Sequence, residues 1–473
     1  MRPAASLSVL LCLSAVQARA GVLGEEEARG NLIVEPVEAP EAVDRVFVGA
    51  TVWTSAGDRL SSGYVVVQGG EITAVGEGAA PSIDGATVVD VKGKHLTPGL
   101  IDTHSHLGVY ASPDASAHGD GNEMTAPTTP GVWAEHSVWP QDPGFEHAVA
   151  GGITTLQILP GSANLVGGRG VVMRPVPTRG ARAMRFDGAP PTVKMACGEN
   201  PKRVYGGKNR APATRMGNLR GQREAFLAAE VYLRKWKDYE AKRDRYQAQQ
   251  ETPPKKKDRI EEPEPPARDL DKETLALILD GQALPQIHCY RADDMLAMLQ
   301  VSKEFGFSVR SFHHATEAYK IADVLAAEGV AASVWPEWWG FKMEANDAIP
   351  ANGAILAAAG GRTVIHSDSA TTIQRLNQEA AKAWASGRRA GLDLSEEDAL
   401  TWVTLNPAWA LGIDELTGSL EVGKRADLVV WDGPPLSVYS SPEQVYIDGA
   451  LVYEPDEDAL PWSDYALGTE VAP

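Results

Sequence analysis

Over about 310 residues in the middle of the chain, apolar runs of strand length recur, each closing on polar residues and followed by a helical stretch. Examples are TTLQILPGS, PTVKMACGEN, LPQIHCYR, FSVRSFHH and GRTVIHSDS. A strand followed by a helix, many times over, is the pattern of a parallel α/β architecture, because parallel neighbours need a crossover connection that a helix supplies. The length suits an eight-fold (β/α)8, TIM-like barrel with insertions, which the reading places over residues 98–413. In such barrels the C-terminal strand ends build the site, so the polar endings are the first place to look for chemistry.

Outside this span the texture changes. The segments VFVGATVWT, SGYVVVQGGEITAVGEG and TVVDVKGKHLTPG read as short strands punctuated by Gly and Asp, and TGSLEVGKRADLVVWDG and EQVYIDGALVY repeat that texture near the far end. A small β-sandwich built from both chain ends, residues 41–97 and 414–460, is expected. From about Gln222 to Glu273 the barrel rhythm breaks into dense Lys, Arg, Glu and Gln around TPPKKKDRIEEPEPPARD, read as a charged insertion made of a solvated helix and a Pro-rich loop.

An apolar fraction of 43% with 23% charged residues in 473 supplies a sizeable core and excludes disordered, collagenous and multi-spanning membrane classes. The formal charge of −19 repels a phosphate backbone, so nucleic acid is excluded as a partner. Residues 1–20 combine Arg2, the apolar stretch Leu7 to Leu13 and the ending Ala18-Arg19-Ala20, the three parts of a cleavable secretory signal. No later segment reaches the roughly 20 apolar residues of a transmembrane helix. An exported, periplasmic or secreted, soluble protein is therefore expected. Cys12 falls in the leader, and only Cys197 and Cys289 remain, too few for disulfides to frame the fold.

The chemistry begins at LTPGLIDTHSH, where an apolar run ends in His104 and His106. Strand residues i and i+2 point the same way, so the two imidazoles share one side. Later runs also close on ligand-type residues: Glu199, His288, His313 with His314, and Asp368. With the ending LTGSLEVGKRADLVVWDG, these segments resemble the amidohydrolase superfamily of metal-dependent hydrolases, in the branch with imidazolonepropionase-like and prolidase-like enzymes. The resemblance implies that His104, His106, Glu199, His288, His314 and Asp368 hold one or two divalent ions, Zn²⁺ by preference. At the fourth strand it leaves two bridging candidates, a carboxylated Lys194 or the carboxylate of Glu199, and the reading prefers Glu199 because it needs no adduct. His314 is favoured over His313, since HATEAYK resembles the family segment and adjacent strand residues face opposite ways.

Such a site implies hydrolysis of a C–N bond, amide or cyclic amide, in a small-molecule substrate of dipeptide-like or N-acyl amino acid type. Asp368 is expected to move the proton of the attacking water, and His314 to assist at the carbonyl. Arg203 and Arg291 follow candidate ligands and are read as partners for a substrate carboxylate, while Trp335, Trp338 and Trp339 are read as pocket-lining aromatics. His95, His118, His136, His147 and His366 are assigned structural or surface roles. The chain has no H-E-x-x-H helix and no G-x-S-x-G elbow, and GSANLVGGRG lacks the Lys-Ser/Thr ending of a phosphate loop, so Gly161 to Gly170 is read as a loop. The alternative from another class is a non-catalytic secreted barrel that keeps its metal site for binding or structure.

Overall fold

The structure, a computed structural model, describes residues 42–455 except 58, 113, 114, 177, 253 and 254. The leader-like residues 1–20 lie outside the described part, as do residues 456–460 of the expected sheet domain. Among the described residues no helix is long and apolar enough to cross a membrane.

The strands, in chain order, begin with β1 (Arg45–Val52), β2 (Leu60–Gln68), β3 (Glu71–Glu77), β4 (Thr87–Asp90) and β5 (His95–Pro98). Next come β6 (Leu100–Ser105), β7 (Ile153–Ile158), β8 (Val166–Met173), β9 (Thr192–Ala196), β10 (Leu284–His288), β11 (Ser311–His313), β12 (Ala331–Val334) and β13 (Arg362–Ile365). The last three are β14 (Leu428–Trp431), β15 (Pro442–Ile447) and β16 (Ala450–Tyr453).

The first sheet runs β16-β15-β14-β5-β1-β2-β3, with β4 branching from β1, so it takes strands from both chain ends. β5 is the joint: it pairs antiparallel with β14 and parallel with β1. Val-rich β1 and β2 supply the β-branched residues that suit a pleated surface. Their inward residues Phe47, Val52, Val65 and Val67 pack with Leu96, Leu428, Val430 and Tyr446 into one core.

The second sheet, β6 through β13 in spatial order, is the nearly closed barrel. β6 and β7 are buried along their whole length, as expected of strands covered on both faces. Seven strands are mutually parallel. β8 runs antiparallel to both its neighbours, β7 and β9, which departs from the all-parallel expectation. It also corrects the loop reading of Gly161 to Gly170, since residues from Val166 onward are strand. The glycines there admit close neighbours rather than mark a loop: at Gly168, with φ 126°, a Cβ would stand 2.4 Å from the Val132 carbonyl oxygen, and at Gly170 it would stand 2.6 Å from the Leu159 side chain.

One disulfide, Cys197–Cys289, forms just beyond β9 and β10 with a Cα separation of 5.3 Å. Composition alone does not pair these cysteines. The β9–β10 register does, because it sets Ala196 opposite His288 and so makes the next residues neighbours.

Among the described residues two compact units separate, 236–266 and the remainder. The smaller contains the distal part of the helix Arg215–Glu251 and the turn Lys256–Asp258. Within it, Gln249 accepts from the Ile260 amide at 3.0 Å, folding the Pro-rich stretch back on the helix end.

The composite sheet core yields a stability prediction. Leu96 is fully buried on the joint strand β5, so Leu96→Ala should lower unfolding free energy by about 2–5 kcal/mol in urea titration. A loss below about 1 kcal/mol would contradict a core that spans both chain ends.

Candidate metal centre

β6 delivers the first two imidazoles to the barrel interior. His106 Nδ1 lies 2.8 Å from the Leu159 carbonyl oxygen, which can only accept, so its hydrogen sits on Nδ1 and Nε2 is presented inward, 3.2 Å from Asp368 Oδ1. His104 is fully buried, with Nε2 3.8 Å from the same carboxylate oxygen. Asp368 comes from just past β13 and His314 from just past β11, and both take left-handed backbone, φ 50° and 57°. Non-glycine residues in that region cost about 1–3 kcal/mol and persist where the surroundings impose them, commonly at functional sites. His314 Nδ1 lies 3.8 Å from Asp368 Oδ2.

Two overlapping donor sets result, each with ligand atoms within 4.8 Å of one another: His104, His106 and Asp368, and His104, His314 and His366. Lys194, fully buried on β9, places Nζ 3.1 Å from His104 Nε2. Glu199 opens the helix Glu199–Gly206, where its amide donates to Glu344 and its carboxylate lies 3.7 Å from Lys342 Nζ. Geometry therefore brings Lys194, rather than Glu199, against His104. His288 ends β10 with its ring centroid 4.9 Å from that of His314, and its buried Nδ1 has no hydrogen-bond partner.

Electrostatics follow from burial. Desolvation holds His104, His288, His313 and His314 well below the usual histidine range and His366 down to about 4, and it draws Lys194 down to about 7. Neutral imidazole is the metal-binding form. Several uncharged ring nitrogens, one carboxylate, a lysine that can shed its proton and an orphaned buried nitrogen make a sulfur-free N/O donor set that fits a divalent transition ion.

One sequence expectation, the structural or surface role given to His366, needs correction. His314, which leaves the strand pleat by its positive φ, joins the donor set as the sequence favours, while His313 turns inward as a fully buried hydrogen-bonded neighbour, with Nδ1 2.8 Å from His104 Nδ1. His366 belongs to the cluster, with Nε2 2.8 Å from His314 Nδ1. Its signal in the sequence is the spacing, two residues before Asp368, as His104 stands before His106. Arg291 is held by Asp293 at 2.8 and 2.9 Å. Arg203 is exposed on the Glu199–Gly206 helix.

A cation near the cluster that the sequence reading missed is Lys342. Its Nζ lies 4.2 Å over the Tyr290 ring and 3.0 Å from Asn200 Oδ1, and Asn200 Nδ2 meets His288 Nε2 at 3.3 Å. Trp335 is buried and stacks on His314 and His366 at 4.5 and 4.9 Å, with Trp338 stacked behind it, whereas Trp339 is exposed.

Lys194 makes the pH dependence testable. Its amine titrates near 7 in the fold and near 10.4 in an unfolded chain, so between those values the unfolded state binds the extra proton and stability rises with pH. In metal-stripped protein, the unfolding free energy of wild type relative to Lys194→Met should rise by on the order of 1 kcal/mol per pH unit between pH 7.5 and 9.5. A flat difference would contradict a buried, depressed lysine.

The chain can now be set beside known proteins. The family model described as "Amidohydrolase family" matches residues 287–452. The amidohydrolase tasK of Hapsidospora irregularis is 33% identical over 445 residues, 89% of this chain, and the chain spans 42% of that relative's length. The imidazolonepropionase of Treponema denticola is 24% identical over 439 residues, 84% of this chain and 93% of its own. The crystal structure of an amidohydrolase from Thermotoga maritima MSB8 superposes with a TM-score of 0.75 at 35% identity, covering 87% of this chain and 100% of that one. With 35% identity over the whole length of that structure, the chain belongs to the amidohydrolase family.

Proposed function

We infer that the protein is a metal-dependent hydrolase that cleaves a C–N bond, amide or cyclic amide, in a small molecule of dipeptide-like or N-acyl amino acid type. The observation that carries this reading is the convergence of His104, His106 and Asp368 within 4.8 Å, with His314, His366 and Lys194 against the same His104. One or two ions, Zn²⁺ by preference, suit the two overlapping donor sets. When bound, such an ion lowers the pKa of a water from 15.7 to about 7 and polarises a carbonyl oxygen.

The chain's own groups do the rest. Asp368 is partly exposed, 23% at the side chain, and so stands where the cluster meets solvent. There its carboxylate accepts the proton of the attacking water and returns it to the leaving nitrogen. His314 and His288 flank the carbonyl. Lys194, whose amine burial favours in the neutral, nucleophilic form, could add to carbon dioxide with loss of a proton, and the resulting carbamate, rather than Glu199, would be the fourth-strand group that helps to hold the metal. Lys342 and Arg203 face an anionic end of the substrate.

The same reading extends to organisation. We read residues 98–413 as the hydrolase barrel, with the charged insertion at about 222–273, and the mixed sheet packed on Phe47, Val65, Leu96 and Tyr446 as belonging to a small β-sandwich domain. Export through a cleaved leader accords with the Cys197–Cys289 disulfide, which persists in oxidising compartments.

The test is a panel of dipeptides, N-acyl amino acids and cyclic amides assayed on protein carrying about one or two equivalents of Zn²⁺, Mn²⁺ or Co²⁺. Wild type should release amine, and Asp368→Asn, which keeps shape without a charge to hold the proton, should lose on the order of 10²–10⁴-fold in kcat. Wild type with fewer than about 0.3 bound equivalents and no activity on metal addition would overturn the reading.

A further inference from the structure

A chain of hydrogen bonds runs from the barrel wall to His104 through two groups to which the proposed chemistry gives no role. It starts at the Ala410 carbonyl oxygen, which accepts from Gln286 Nε2 at 2.9 Å. With its nitrogen committed there, the amide turns Oε1 to His313 Nε2 at 2.7 Å. An amide oxygen only accepts, so His313 Nε2 carries a hydrogen.

His313 Nδ1 then lies 2.8 Å from His104 Nδ1, and one of the two must donate. Were His313 protonated on both nitrogens, the hydrogen of neutral His104 would move to Nε2 and face the Lys194 amine at 3.1 Å. With His313 neutral, its Nδ1 accepts, His104 Nδ1 donates, and His104 Nε2 is left as a bare lone pair. Gln286, His313 and His104 are each 0% exposed, so no solvent competes for these bonds. Strand register holds the chain in place, pairing Gln286 with Lys194 across β9–β10 and His288 with His313 across β10–β11.

We propose that Gln286 and His313 are positioning residues that lock His104 with its hydrogen on Nδ1, keeping the Nε2 lone pair aimed at the ion site. The proposal rests on the metal-hydrolase reading for what His104 receives; the tautomer itself is a property of the metal-free protein.

Two measurements test it. In metal-stripped protein labelled with ¹⁵N-histidine, with His104 assigned by difference against His104→Asn, Nδ1 should show a protonated and Nε2 an unprotonated nitrogen shift. The reverse pattern overturns the proposal. In Zn²⁺ titrations against a chromophoric chelator, His313→Phe and Gln286→Leu should weaken binding by about 10–100-fold. His313→Asn, whose amide oxygen replaces Nδ1 as acceptor, should stay within roughly threefold of wild type. Equal affinity for wild type and His313→Phe overturns the proposal too. Should the variants not fold, the wild-type spectrum decides. Should wild type bind no Zn²⁺, the hydrolase reading fails while that spectrum still decides the tautomer.

Discussion

The Asp102 carboxylate ties together the two edges of the barrel sheet. It accepts from the Ser367 hydroxyl, from the Ser367 amide at 3.1 Å and from the His104 amide at 3.1 Å, while the Asp368 amide donates to the His104 carbonyl oxygen at 2.9 Å. These bonds bring the strand that opens the barrel, β6, to the segment that follows its last strand, β13. His104 and Asp368 meet because of that seam. Residues separated by more than 260 positions become one donor set through one backbone bond and the bonds that converge on the Asp102 carboxylate. Burial pushes the Asp102 carboxyl up to about 7 even though the three donors aimed at it oppose that shift.

The second constraint is desolvation. His104, His288, His313, His314 and His366 crowd with Lys194 inside a barrel where charge is costly, and the cluster is tolerable only while its members are neutral. The condition that lets the barrel fold is thus the one that makes the nitrogens good ligands. Such a core is less favourable than an apolar one, and the positive φ values of His314 and Asp368 add strain. That cost is offset by the covered strands β6 and β7 and by the composite sheet core.

Much of this was legible in the sequence, for physical reasons. The His-x-His spacing of His104 and His106 encodes a shared face, and the apolar runs before His288 and Asp368 mark strand ends. What escaped reading depends on three-dimensional register. Whether Lys194 or Glu199 meets the histidines is decided by where β9 ends and the next helix begins. The two inward turns at His313 and His314 depend on a single left-handed residue that pleat alternation does not anticipate. The glycines of β8 look like a loop by composition, yet serve close approach to Val132 and Leu159.

An ion at the barrel seam would be held by His104, His106 and Asp368. Anomalous diffraction at the zinc absorption edge, from crystals grown with Zn²⁺, tests it most directly. A peak is expected about 2.0–2.2 Å from His104 Nε2, His106 Nε2 and an Asp368 carboxylate oxygen. A peak elsewhere, with these three side chains unligated, would contradict it.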